Sequence, residues 1–147
     1  MARQYKDLVA WQRSHQVTLA IYRQTRQFPT EERFGLTSQL RRAAYSVPAN
    51  ISEGSGRDTN KDYLRFLVIA ISSLKETEYF LLLARDLGYL AGDQHDAVTE
   101  TVNGTFGTLQ GLIKSVRKEL GIVGRFQAIL VSALFITIGR LGLPVEA

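Results

Sequence analysis

TNKDYLRFLVIAISSLKETEYFLLLARDLG, residues 59–88, carries the longest regular pattern in the chain. Tyr63, Leu67, Ala70, Leu74, Thr77, Leu81 and Ala84 step by four and three without a break. An α-helix stacks such positions on one face, and their 3.5-residue repeat makes that face a seam for near-parallel neighbours. Thr59 and Asp62 form a capping box with Asp in place of the usual Glu, and Gly88 supplies the stop. A helix of this length with one narrow seam has to pack on other helices.

The flanking segments read the same way. Leu36, Leu40, Ala43, Val47 and Ile51 keep one stripe on both sides of Pro48, so the spacing predicts a helix that runs through the proline. Pro48 has no N–H for the Ala44 carbonyl, and a helix-interior proline costs about 3 kcal/mol and kinks its helix. Ala44 and Ala49 are small enough to let a neighbour approach, and Gly54 and Gly56 are expected to end the helix. Upstream, a first helix is expected from about Leu8 to about Gln27, stopping before Phe28-Pro29. Its core face is assigned to Leu8, Trp11, His15, Leu19 and Tyr22, with His15 as a packed, hydrogen-bonded residue rather than a ligand.

Downstream, a fourth helix is expected to open at Asp93, with Asp96 in the capping relation, and to close at Gly121. Its seam is Val98, Val102, Thr105, Leu109, Leu112 and Val116. Gly104, Gly107 and Gly111 interrupt it, at about 1 kcal/mol each relative to alanine. They mark either a close helix contact, which is favoured, or a frayed helix. The fold class is therefore all-α: an antiparallel up-down four-helix bundle over residues 1–121, with no second domain or repeat.

Residues 122–147 form an apolar C-terminal extension. Arg125 and Arg140 bracket 14 residues, about 21 Å of helix. A bilayer needs about 20 apolar residues, so an extra packing helix, an oligomer contact or a poorly ordered extension is expected rather than a membrane span.

The composition suits one ordinary globular domain: 147 residues, 45% hydrophobic and 22% charged. The absence of cysteine excludes disulfides and thiol-ligated metals. His15 and His95 are the only histidines, and the chain has no HExxH, phosphate-binding glycine loop or GxSxG. No metal site and no cofactor are expected. The start, MARQYKDLVAWQ, lacks a signal-peptide core, so a cytoplasmic location is expected. The net charge of +4 is uneven: residues 1–60 hold nine Lys/Arg and five Asp/Glu, and residues 61–147 hold nine of each. A basic half fits an acidic partner, most often nucleic acid, or simply aids solubility.

Within QLRRAAYSVPANISEG, residues 39–54, the side chains of Gln39, Arg42, Ser46, Asn50 and Glu53 fall within about 80° on a helical wheel, beside the apolar stripe. Arg41, Tyr45 and Ser52 point to another side. Arg42 and Glu53 share an azimuth but stand about 16 Å apart along the axis, so they cannot pair within one helix. Three partners stay open for Arg42: a carboxylate on another helix or another subunit, a phosphate, or solvent.

This stretch, with YKDLVAWQ and IYRQTRQFP before it and FLVIAISSLKETEYFLLLARDLGYL after it, resembles the bacterial four-helix-bundle family of rRNA intervening-sequence proteins. The accessory variability determinant of diversity-generating retroelements is similar to these. The resemblance covers about residues 5–120; NGTFG in the fourth helix and the tail after Gly121 lie outside the pattern. It implies a homopentameric bundle without enzymatic activity. In the retroelement branch it implies binding of a reverse transcriptase and template RNA through a basic surface. It also favours an intersubunit role for Arg42, Asn50 and Glu53.

Two functions follow as expectations. The first is nucleic-acid binding through phosphates by Arg13, Arg23, Arg26, Arg41 and Arg57, with Tyr45 as a stacking group. The second is a homo-oligomeric scaffold with a protein partner. In both, Gln39, Arg42, Ser46, Pro48, Asn50, Glu53 and Gly54 set the bundle geometry and its assembly. Catalysis is not expected. Glu31 and Glu32 are adjacent in a polar connection, Glu76 and Glu78 point in different directions, and no nucleophile or metal set accompanies either pair.

Overall fold

A computed structural model describes residues 4–121. After a short 3₁₀ turn at Tyr5–Asp7, four α-helices follow: α1 (Val9–Gln24), α2 (Leu36–Ser55), α3 (Asn60–Asp86) and α4 (Gly92–Glu119). Two more 3₁₀ turns, Thr25–Gln27 and Thr30–Arg33, carry the chain from α1 to α2. Each helix packs on the next and α4 closes against α1. Partners run in opposite order along every adjacent pair. Thr18 meets Ala44 while Thr25 meets Arg41. Arg42 meets Glu76 while Gly54 meets Phe66. Asn60 meets Glu119 while Lys75 lies over Phe106. Arg13 meets Gly104 while Gln27 meets Gln94. The bundle is antiparallel and up-down. The expected extension, residues 122–147, lies outside the described residues.

The seams expected in α2 and α3 form the core: Leu40, Val47, Ile51, Tyr63, Leu67 and Leu74 are all fully buried. Burying each such aliphatic side chain is worth about 1.5–3 kcal/mol. Thr59 caps α3 by accepting from the Asp62 amide at 3.1 Å. Gly88, at φ +76°, ends α3 in a Schellman motif, with Tyr89 N donating to Ala84 O and Gly88 N to Arg85 O, both at 2.9 Å.

Four expectations need correction. α1 does not bury Leu8, Trp11, His15, Leu19 and Tyr22. It buries Ala10, Ser14, Val17, Thr18 and Ile21, while Leu19 and Tyr22 are exposed and Trp11 and His15 are half-buried. Both stripes have helical spacing; the smaller residues face inward because α1 fits between α2 and α4. Gly54 does not end α2 but lies inside its last turn, where a Cβ would stand 2.7 Å from Phe66 Cβ and 3.0 Å from Tyr63 Cδ2. α4 opens at Gly92, with the Gln94 side chain accepting from the Ala91 amide, and Asp96 engages His95 instead of a cap. In the α4 seam Ile113 is buried where Leu112 was expected, and Leu112 is half-buried. Gly104 is the one of the three α4 glycines in close contact, with the Arg13 guanidinium; Gly107 and Gly111 are exposed with nothing near them.

α2 does continue through Pro48, and the structure shows how. Pro48 is buried and cannot donate to Ala44 O. Thr18 Oγ1 on α1 donates to that carbonyl at 3.0 Å, sharing its proton with Ser14 O on its own helix, also at 3.0 Å. A buried carbonyl left unpaired would cost about 1–3 kcal/mol.

Thr18→Val keeps the shape and removes this donor. Urea denaturation is expected to show a loss of about 1–3 kcal/mol. In a Pro48→Ala background, where residue 48 regains its N–H, the same substitution is expected to cost less than half as much. Equal costs in both backgrounds would break the link between Thr18 and Pro48. Gly54→Ala is expected to destabilise by about 1–3 kcal/mol through overpacking against Phe66. Gly107→Ala, on an open helical surface, is expected to stabilise by about 0.4–1 kcal/mol.

Candidate nucleic-acid interface

The polar flank of α2 finds its partners inside the chain. Arg42 Nη2 donates to Glu76 Oε1 on α3 at 2.6 Å, and Arg42 Nε donates to Gln39 Oε1 at 3.3 Å. Asn50 Nδ2 donates to the Ser46 carbonyl at 2.8 Å. Glu53 pairs with Arg57 one turn on, across the end of α2. Of the three partners left open for Arg42, the structure selects a carboxylate on another helix. The flank joins α2 to α3 and finishes the α2 terminus.

Three of the four carboxylates weighed for catalysis are likewise engaged. Glu76 holds Arg42 and Glu78 holds Lys75. Glu32 Oε2 accepts from the Leu36 amide at 2.8 Å at the start of α2, and Oε1 accepts from Tyr89 OH at 3.2 Å. Burial, reinforced by the Glu32 carboxylate, raises the Tyr89 phenol above its ordinary pKa. Among the described residues no group of three or more His, Cys, Asp and Glu is placed to hold a metal ion. Among the same residues no helix is long and apolar enough to cross a membrane.

Charge is segregated by helix. α1 contains no Asp or Glu, and α2 contains only Glu53. Arg13, Arg23, Arg41 and Arg42 stand on these two helices, and Arg26 on the turn after α1. The residues expected to contact nucleic acid do not form one cluster. Arg41 and Tyr45 lie one turn apart on α2, beside Tyr22 of α1: the Arg41 guanidinium stacks over the Tyr22 ring at 4.8 Å, and its Nε donates to Thr25 Oγ1 at 2.7 Å. Arg23 and Arg26 are exposed near the same end of α1. Arg13 sits on the opposite flank, donating to Gly104 O at 3.0 Å in a shallow groove of about 600 Å³ between α1 and α4. Arg57 lies at the α2–α3 turn over Phe66, with Glu53 offsetting its charge.

Tyr22 lies beside Arg41, and Trp11 and His15 share its side of α1, yet the periodicity assigned all three to the core. The run Leu8–Thr30, free of acidic residues, was the available signal.

The fold is that of a helical-bundle family. The family profile described as 23S rRNA-intervening sequence protein matches residues 6–111, and the chain belongs to that family. Its structure is similar to the crystal structure of a protein with unknown function from the S23 ribosomal protein family of Bacteroides thetaiotaomicron VPI-5482. The two are 26% identical with a TM-score of 0.68, over 74% of this chain and 98% of that one. No curated protein matches the chain.

The Arg42–Glu76 pair is about half exposed on both sides, so solvent screens it. A double-mutant cycle with Arg42→Ala and Glu76→Gln is expected to give a coupling of about 0.2–1 kcal/mol. A coupling near zero would remove Arg42 from the α2–α3 contact and reopen a partner outside the chain.

Proposed function

We propose that this chain is a non-enzymatic, homo-oligomeric bundle that binds nucleic acid through the basic face of α1 and α2. The observation that carries this reading is the segregation of charge. Two neighbouring helices present arginines with one carboxylate between them, and that carboxylate is already paired with Arg57. A cationic surface of this kind attracts a polyanion through its phosphates, without regard to sequence. The description of the family makes RNA the first ligand to test. A pentameric assembly and an accessory role beside a reverse transcriptase are the particular forms that the family resemblance suggests.

A second reading has its own support. The outer side of α3 exposes Val68, Ile69, Tyr79 and Leu82, interspersed with Arg65, Ser72 and Lys75, a mixed surface that fits contact with protein. It suits a homo-oligomeric scaffold that binds a protein partner and no nucleic acid. Assembly through α3 is compatible with both readings, because it leaves α1 and α2 outward.

Fluorescence anisotropy with a structured RNA and a matched duplex DNA, from about 50 to about 200 mM salt, separates them. Binding is expected to weaken steeply with salt, with log K falling by about 0.7–0.9 per phosphate contact per log unit of salt. Arg41→Glu and Arg26→Glu are each expected to weaken binding and flatten that slope, whereas Arg57→Glu, already offset by Glu53, is expected to do less. Absence of binding at the lowest salt would leave the scaffold reading.

A further inference from the structure

The aromatic residues of α1 and α2 are gathered on one side of the bundle. Trp11, His15 and Tyr22 fall within about 40° of one another around α1. The Trp11 and His15 rings lie parallel, 5.1 Å between centroids and 8° between planes, and Tyr5 meets Trp11 edge-on at 5.1 Å. Eleven residues further along, about 16 Å at 1.5 Å per residue, Tyr22 lies under Arg41, with Tyr45 one turn away on α2. Tyr22 and Tyr45 are 42% and 46% exposed, and Leu19, between the two groups on α1, is 38% exposed. Tyr22, Tyr45 and Leu19 are thus open to solvent over a good part of their surface, and the half-buried Trp11 also packs on the core.

The charges along this strip are cationic: Lys6 over the Tyr5 ring at one end, Arg23, Arg26 and Arg41 at the other. Asp7 is the exposed acid at the Tyr5 end, and the next acid after it in sequence is Glu31. An apolar partner would need no such cations, and an acidic peptide would not need a row of aromatic faces. A duplex keeps its base faces inside its own stack and would meet only the arginines. Unpaired bases flanked by phosphates use both features, since successive bases stack on aromatic rings while the backbone tracks the cations.

We propose that the strip from Trp11–His15 to Tyr22–Tyr45 is a stacking platform for a single-stranded polynucleotide. It holds about four or five bases at 3.4 Å spacing, and Lys6, Arg26 and Arg41 hold the phosphates. The inference rests on the nucleic-acid reading above and adds the state of the strand and the place where it lies.

Trp11 is the only tryptophan of the chain, so its emission reports on the platform. The full chain is titrated at about 50 mM salt with oligo(U), oligo(dT) and a duplex RNA of equal length, reading anisotropy and Trp11 emission together. The single strands are expected to bind about tenfold or more tighter than the duplex and to quench Trp11. Tyr22→Ala and Tyr45→Ala are each expected to weaken single-strand binding by about tenfold while changing duplex binding by less than about twofold. Tyr22→Phe, which keeps the ring, is expected to bind like the wild type. A preference between oligo(U) and oligo(dT) reports the joint effect of the 2′-hydroxyl and the thymine methyl, and either order supports the platform. Equal binding of duplex and single strands without quenching overturns the platform and leaves phosphate binding standing. Absence of binding to all three probes overturns both.

Discussion

Ala44 O is the point on which this bundle turns. Proline at position 48 removes the backbone donor that an unbroken helix would give it, in the middle of α2 and in the buried interior. That carbonyl takes the hydroxyl of Thr18 from α1, which ties α1 to α2 at this level. On the same side of α1 as Thr18, the small residues Ala10, Ser14 and Val17 line the interior, and the larger aromatic residues lie further out. On the other side of α2, Gly54 lets α3 come close enough for Phe66 and Tyr63 to occupy the space of a side chain. A proline and a glycine, both poor helix formers, are kept in one helix because each fits a neighbour.

The division of labour among the helices follows. α2 and α3 make the tightest contact and absorb the polar flank: Arg42 reaches Glu76, and Asn50 and Glu53 are satisfied on α2 or just beyond its end. These groups fix register and finish helix ends, for which modest surface energies are enough. The α1–α2 side is left with arginines and aromatic rings and almost no acid, while α3 exposes Val68, Ile69, Tyr79 and Leu82 among charged and polar residues. Here the two kinds of surface lie on different helices and so do not compete.

Much of the fold was legible in the sequence because α2 and α3 have a single apolar stripe each. Tyr63, Leu67, Ala70, Leu74, Thr77, Leu81 and Ala84 fit one face of a helix and no other arrangement, and the Thr59 cap and Gly88 stop act within a few residues of themselves. α1 was harder because it has two stripes at helical spacing. Hydrophobicity favoured the larger one, Leu8 to Tyr22, whereas a narrow gap between two neighbours takes the smaller. Gly54 looked like a terminator because glycine commonly ends helices, and its contact with Phe66 lies across to another helix. The arginines were identifiable as a set. That Arg41 lies over a tyrosine while Arg57 is neutralised by Glu53 depends on contacts that no spacing encodes.

The sequence by itself determined the four helices of the described residues, two of their core faces, their up-down order and the excess of positive charge in the first half. These follow from local periodicity, short connections and composition. Only the tertiary structure decided which face of α1 is buried, what satisfies the carbonyl opposite Pro48, where the α2 arginines end and which aromatic rings stay at the surface. Each of those depends on the distance between helices, and that distance is set by the close packing of side chains from different parts of the chain.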